Sequence, residues 1–169
     1  MAYAWFCRRL TRLGAGIKLT RQSREAPLDF ETVSPEAFGA SLRGLGLNLL
    51  VRDVEAEAAF LRALFGMAAH RLSRDFAIMT YGEQVFQLHA DGTYGANPLL
   101  SLLPEAGARG AGLEIRLYDT DPDAVAERAA AHGATILQEP TDKPHGLREV
   151  YVLCDNGYAW VASRPLGAA

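Results

Sequence analysis

An α+β fold made of two βαβββ modules is predicted for this chain by three observations. The order strand, helix, three strands can be traced twice. Acidic residues stand where each module's helix should start, and glycines stand where it should stop. Short Gly-Glu and Asn-Gly links join neighbouring strand candidates. A length of 169 residues with 49% hydrophobic content suits one ordinary domain or two small modules sharing a core.

In chain order, Ser34-Pro35-Glu36 opens a short helix through Phe38 and Leu42. The hydroxyl can cap, and proline at the first helical position loses no needed N–H. Leu47 to Val51 reads as a strand with Leu47, Leu49 and Val51 on one face and Asn48 on the other. Asp53 caps a helix running through Val54, Ala58, Leu61 and Phe65 to Gly66. Strands near Ala69–Leu72, Phe76–Tyr81 and Gln84–Ala90 follow, the last two joined by Gly82-Glu83.

After a Gly- and Pro-bearing connection from Gly92 to Gly112, the order starts again. Strict alternation over Leu113 to Tyr118 puts Leu113, Ile115 and Leu117 beneath a helix, and Glu114, Arg116 and Tyr118 on the opposite face. The helix runs from about Asp121 to His132, before Gly133. Strands near Ala134–Gln138, Arg148–Cys154 and Tyr158–Ser163 complete the module, with Asp155-Asn156-Gly157 as a hairpin whose Asn and Gly both tolerate positive φ. Residues 1–41 are thus a basic leader with a short helix, and 42–165 one domain of modules 42–91 and 110–165. A module this short cannot bury its sheet alone, so the two should pair as curved mixed sheets around a central groove.

Composition excludes several classes. A net charge of -3 offers no basic excess for neutralising phosphates, which argues against a nucleic-acid partner. No stretch approaches the roughly 20 apolar residues of a membrane span. Two cysteines, Cys7 and Cys154, make neither a disulfide framework nor a zinc pattern, and a cytoplasmic location fits best. Arg8, Arg9, Arg12, Lys18, Arg21 and Arg24 all precede the first acidic residue, Glu25. That leader reads as a helical arm or as a transit peptide.

The segment Asn48-Leu49-Leu50-Val51-Arg52-Asp53, followed by Ala59-Phe60-Leu61 and Leu64-Phe65-Gly66, resembles the opening of a vicinal oxygen chelate module. Gly146-Leu147-Arg148-Glu149 and Asp155-Asn156-Gly157 are similar to the bleomycin-resistance branch of that superfamily, which also holds glyoxalases and extradiol dioxygenases. The resemblance covers about Leu42 to Arg164. It implies metal-ligand positions on the first and last strand of each module, which fall on Gly46, Gln87, Glu114 and Val161. Only Glu114 is a good ligand, so no metal and no other cofactor is expected, with a divalent metal as the alternative.

The candidate ligand-binding residues are Asn48, Gln87, His89, Glu114, Arg116, Tyr118 and Tyr151, with Glu114 also a candidate catalytic base. Each has a plainer reading: Glu114 and Arg116 as an ion pair on a sheet face, His89 as a rim histidine, the rest as satisfied polar groups. Arg148 and Glu149 alternate, so at most one points into the groove, and His145 belongs to a turn or to the site. Trp160 should face the helices. The expected function is binding of a small organic ligand by a homodimer. The alternative is a lyase or isomerase of the glyoxalase type.

Overall fold

The computed structural model describes residues 28–103 and 105–167. The expectations for Cys7 and the basic leader lie outside the described residues. Both modules are present in the predicted order. A short helix α1 (Pro35–Ser41) leads into β1 (Asn48–Val51), α2 (Val54–Phe65), β2 (Ala68–His70), β3 (Phe76–Tyr81) and β4 (Gln84–Ala90). The second module is β5 (Glu114–Leu117), α3 (Pro122–Ala131), β6 (Thr135–Asp142), β7 (Leu147–Leu153) and β8 (Ala159–Pro165).

Local chemistry sets the helix ends. Ser34 Oγ accepts the Ala37 N–H, and Asp53 Oδ1 accepts the Ala56 N–H at 2.9 Å. Asp121 Oδ1 takes the N–H groups of Asp123 and Ala124, with Pro122 opening the helix. Gly66 ends α2 at φ 69°, a left-handed conformation in which a side chain is strained.

Each module forms a four-stranded mixed sheet, in the orders β1-β4-β3-β2 and β5-β8-β7-β6. First and last strands pair in parallel and the rest antiparallel. One core joins the modules: Leu61 and Leu64 of α2, Val125 of α3, and the inward faces of both sheets, among them Leu49, Leu88, Val152 and Trp160. Burying each such aliphatic side chain contributes roughly 1.5–3 kcal/mol. The seam is also pinned by hydrogen bonds. Tyr158 Oη donates to Leu50 O at 2.9 Å, Arg128 Nε to Leu64 O at 2.7 Å, and Arg52 N to Asn156 Oδ1 at 2.9 Å.

Three expectations are corrected. Leu113 lies outside β5 and is 39% exposed, because Gly112 turns the chain at φ 84° just before it; Leu117 is buried and Ile115 only half-buried. Asn156 does not adopt a positive φ; Gly157 alone does so in that hairpin, at 82°, and the Asn156 side chain is instead committed to Arg52 and Glu57. β6 runs on to Asp142 beyond the predicted Gln138, with register shifts against β7.

Candidate functional site

Register decides which side chains share a face. On the first sheet, Asn48 stands opposite Gln87, Gln87 opposite Ile78 and Ile78 opposite His70; Leu50, His89 and Phe76 form the next such row. These residues point away from the core face that carries Leu49 and Leu88. Asn48, Gln87 and His89 therefore lie together, as their spacing predicts. His89 Nε2 is 3.3 Å from Gln87 Oε1, and its ring sits edge-on to Phe76 and Tyr94 with centroids 5.1 Å from each. Burial lowers its pKa and favours the neutral ring.

The segment from Phe30 to α1 covers this face. Val33 and Phe38 pack on Ile78, with Phe30, Phe76 and Val85 around them. Arg71 anchors the segment: its backbone N–H donates to Glu31 Oε2 at 3.1 Å and its guanidinium donates to the Glu31 and Val33 carbonyls. His70 Nδ1 lies 3.4 Å from Glu31 Oε1.

On the second sheet, Arg116, Val161 and Tyr151 form one row, with Glu114 two residues before Arg116 on the same strand face. Arg116 is ion-paired to both Glu114 and Glu149. Glu149 is fully buried, and it also accepts from Tyr151 Oη at 3.0 Å and lies 3.0 Å from His145 Nε2. Burial alone would raise the Glu149 pKa, but the donors His145, Tyr151 and Arg116 more than offset it and hold it below its ordinary 4.5. Desolvation likewise opposes charge on Arg116, and its bonds to Tyr151, Glu114 and Glu149 prevail, raising its pKa. Tyr118 lies just past β5, is 60% exposed and has its ring 5.9 Å from the Arg116 guanidinium carbon. Arg148 faces the other way, onto Asp123 and Asp142.

Two cavities border these faces. One, of about 480 Å³, spans the seam between modules and is lined by Leu47, Tyr81 and Phe86 on one side and Ile115, Arg116 and Tyr118 on the other. A second, of about 770 Å³, lies between the N-terminal segment and the first sheet and includes Asn48 and Gln87. They share a wall of Leu45, Leu47, Gln84, Val85 and Phe86. The seven candidate residues thus fall into two sets: Asn48, Gln87 and His89 on one sheet, and Glu114, Arg116, Tyr118 and Tyr151 on the other.

The sequence reading underrated Glu149, which joins Arg116, Tyr151 and His145. Parity places it on the strand face of Tyr151, but its partnership with Arg116 follows only from the sheet register. It also missed Glu57 of α2, buried at 3% exposure and bonded through Oε2 to Asn156 Nδ2 at 2.8 Å across the seam. Glu57 Oε1 and Trp160 Nε1 are buried without a hydrogen-bond partner among the described residues. Desolvation raises the Glu57 pKa against the lowering effect of Asn156.

The metal positions implied by the resemblance can be tested on donor chemistry. Gly46 precedes β1, and register sets Asn48 opposite Gln87 and Arg116 opposite Val161. Two neutral amides, a valine and a fixed guanidinium make a poor set for a divalent cation, and Glu114 is already paired with Arg116. Among the described residues no three His, Cys, Asp or Glu side chains gather into a possible ion site. These residues do not fit the metal.

The comparisons with known proteins agree with this architecture. No curated protein matches the chain. Among solved structures, a glyoxalase/bleomycin resistance protein/dioxygenase family enzyme from Burkholderia phytofirmans PsJN superposes with a TM-score of 0.61 at 19% identity, covering 72% of this chain and 97% of that one. A glyoxalase/bleomycin resistance protein/dioxygenase from Nocardioides gives 0.58 at 20% identity, covering 78% and 92%. A lactoylglutathione lyase from Agrobacterium tumefaciens gives 0.55 at 22% identity, covering 72% and 92%. At such identities the likeness shows the fold alone. The Glyoxalase/Bleomycin resistance protein/Dioxygenase superfamily model, however, matches residues 45–161, most of the chain and nearly all of both modules. The chain belongs to that superfamily.

Proposed function

We propose that this chain binds a small organic molecule in the seam cavity without a divalent metal. The observation that carries the reading is a cavity of about 480 Å³ walled by both modules, with Arg116 and Tyr118 among its lining. Its size lies in the range of about 300–1,000 Å³ usual for small-molecule sites. Apolar walls supply the burial, and the Arg116 N–H groups and the Tyr118 hydroxyl supply orientation. Glu114 and Glu149 hold the guanidinium in place and offset its charge, and Tyr151 steadies Glu149 by donating to it. The favoured ligand is therefore mainly apolar, with a hydrogen-bond acceptor and no full charge. With Glu114 engaged by Arg116, binding is better supported than base catalysis or a lyase reaction. No described helix is long and apolar enough to cross a membrane. Residence in the cytoplasm and pairing of two chains complete the reading. Leu45, 87% exposed, and Leu102, 78% exposed, are apolar surface that pairing could cover; light scattering returning the mass of one chain would overturn the dimer.

The test is a fragment screen followed by NMR on labelled protein. Ligands are expected to shift the amides of Ile115, Arg116 and Tyr118, and Arg116→Met and Tyr118→Ala to weaken them about tenfold each. Ligands indifferent to both substitutions would refute the seam as the site.

A further inference from the structure

We propose that residues 28–42 form a hinged lid, latched by Arg71, which seals the β2 and β3 side of the first sheet's face opposite the core and opens as a unit while the domain stays folded. The strap precedes residues 45–161 of the superfamily match, so it is an addition to the two modules. Nothing in this requires the seam cavity to be the ligand site.

Three observations carry the inference. First, the strap's contact is separate from the main core. Among residues 28–42 only Val33 and Phe38 are buried, and they meet Ile78 of β3 with Phe30, Phe76 and Val85 around them. Ile78 points away from the core that its neighbours Ala77 and Met79 enter, so the strap can leave without opening that core. Two buried side chains set against the ordering of the whole strap make a weakly held element, of the kind that opens locally.

Second, the hold is concentrated at one residue. Arg71 donates its backbone N–H to Glu31 Oε2 at 3.1 Å, its Nε to Glu31 O at 3.3 Å and its guanidinium to Val33 O. It does so at φ 49°, a left-handed conformation that strains an arginine. Such a conformation persists where surrounding contacts over-determine it, and the side-chain bonds of Arg71 go to the strap. His70 adds its Nδ1, 3.4 Å from Glu31 Oε1, and a ring contact with Phe30 at 5.4 Å between centroids.

Third, the strap has a hinge. Gly44, at φ 69°, and Gly46 join α1 to β1, and a Cβ at either would meet nothing within 4 Å. Crowding does not call for glycine there, whereas backbone freedom does. Leu45 between them is exposed and anchors neither. With the strap down Ile78 is sealed, so a molecule that uses this part of the face binds more weakly by the fraction of chains that are open. Freeing Arg71 raises that fraction.

The test reads opening directly and needs no ligand. In the full chain carrying Cys7→Ser, the substitution Ile78→Cys places a thiol beneath the strap, and its reaction with 5,5′-dithiobis(2-nitrobenzoate) is timed. Cys154 is the core reference, since it is buried and burial pushes its thiol up to about 12. The Ile78→Cys thiol is expected to react at least about tenfold faster than Cys154 and at least about tenfold slower than free glutathione. Arg71→Ala should speed it at least about tenfold, through loss of the latch hydrogen bonds, and leave Cys154 unchanged. Because Ile78→Cys itself thins the strap's contact, hydrogen exchange on the chain with Ile78 intact is the second measurement. The amides of Val33 and Phe38, bonded to Asp29 O and Ser34 O, should exchange faster than those of β3 and β4, and about tenfold faster again in Arg71→Ala. A thiol as slow as Cys154, or as fast as glutathione, would overturn the lid. So would an Arg71→Ala variant that changes neither the thiol nor the amide rates, or that speeds Cys154 equally.

Discussion

Glu149 shows how one side chain can set the character of a face. It is fully buried yet held ionised by Arg116, Tyr151 and His145, and its pKa lies below the ordinary 4.5. A depressed carboxylate pKa contributes stability above the ordinary value, and that contribution is lost as pH falls through the folded value. Glu149→Gln should therefore destabilise the protein by about 2 kcal/mol at neutral pH, the worth of a charge-assisted hydrogen bond. It should also flatten the loss of stability on acidification. Melting curves of wild type and variant from neutral to acidic pH check both, and an unchanged midpoint would show that Arg116 is fully satisfied by Glu114. Arg116 and Glu114 were legible from strict alternation over β5. Glu149 was not, because its partnership with Arg116 spans 33 positions and crosses β8, and only the β5-β8-β7 register discloses it.

Elements were legible where the chemistry is local. The caps at Ser34, Asp53 and Asp121 and the stop at Gly66 involve neighbours within three or four residues, and all stand as expected. The β7–β8 hairpin was legible as a turn but not as a clasp, since Asn156 reaches Glu57 on α2 across 99 positions. Likewise α1 was readable as a helix, but nothing in its seven residues marks the sheet that Phe38 covers. The clasp has a pH signature opposite to that of Glu149. Burial raises the Glu57 pKa above the ordinary 4.5, so its full contribution is present below that value and is lost as pH rises through the folded value. The stability difference between Glu57→Gln and wild type should shift in the variant's favour as pH rises above the ordinary 4.5. A difference that stays level or moves the other way would show that Asn156 and its neighbours outweigh desolvation.

For the molecule as a whole, the repeat was the most legible feature. Two modules with similar local signals must find each other to bury their inner faces, and one core including both helices is the result. The groove was less legible. Periodicity says which residues share a strand face, but not that residues 30–38 lie over one face while Arg116 borders a cavity at the seam. Our central proposal is that this superfamily member binds a small molecule without a divalent metal. Glu114 and Glu149 are both engaged by Arg116, so neither carboxylate is left to ligate a cation. The most direct measurement is the metal content of protein purified without an affinity tag, paired with its melting temperature before and after chelator. The expected result is no stoichiometric divalent metal and an unchanged midpoint, since a bound ion would stabilise the fold by linkage. One metal per chain, lost on chelation together with several degrees of stability, would contradict the account.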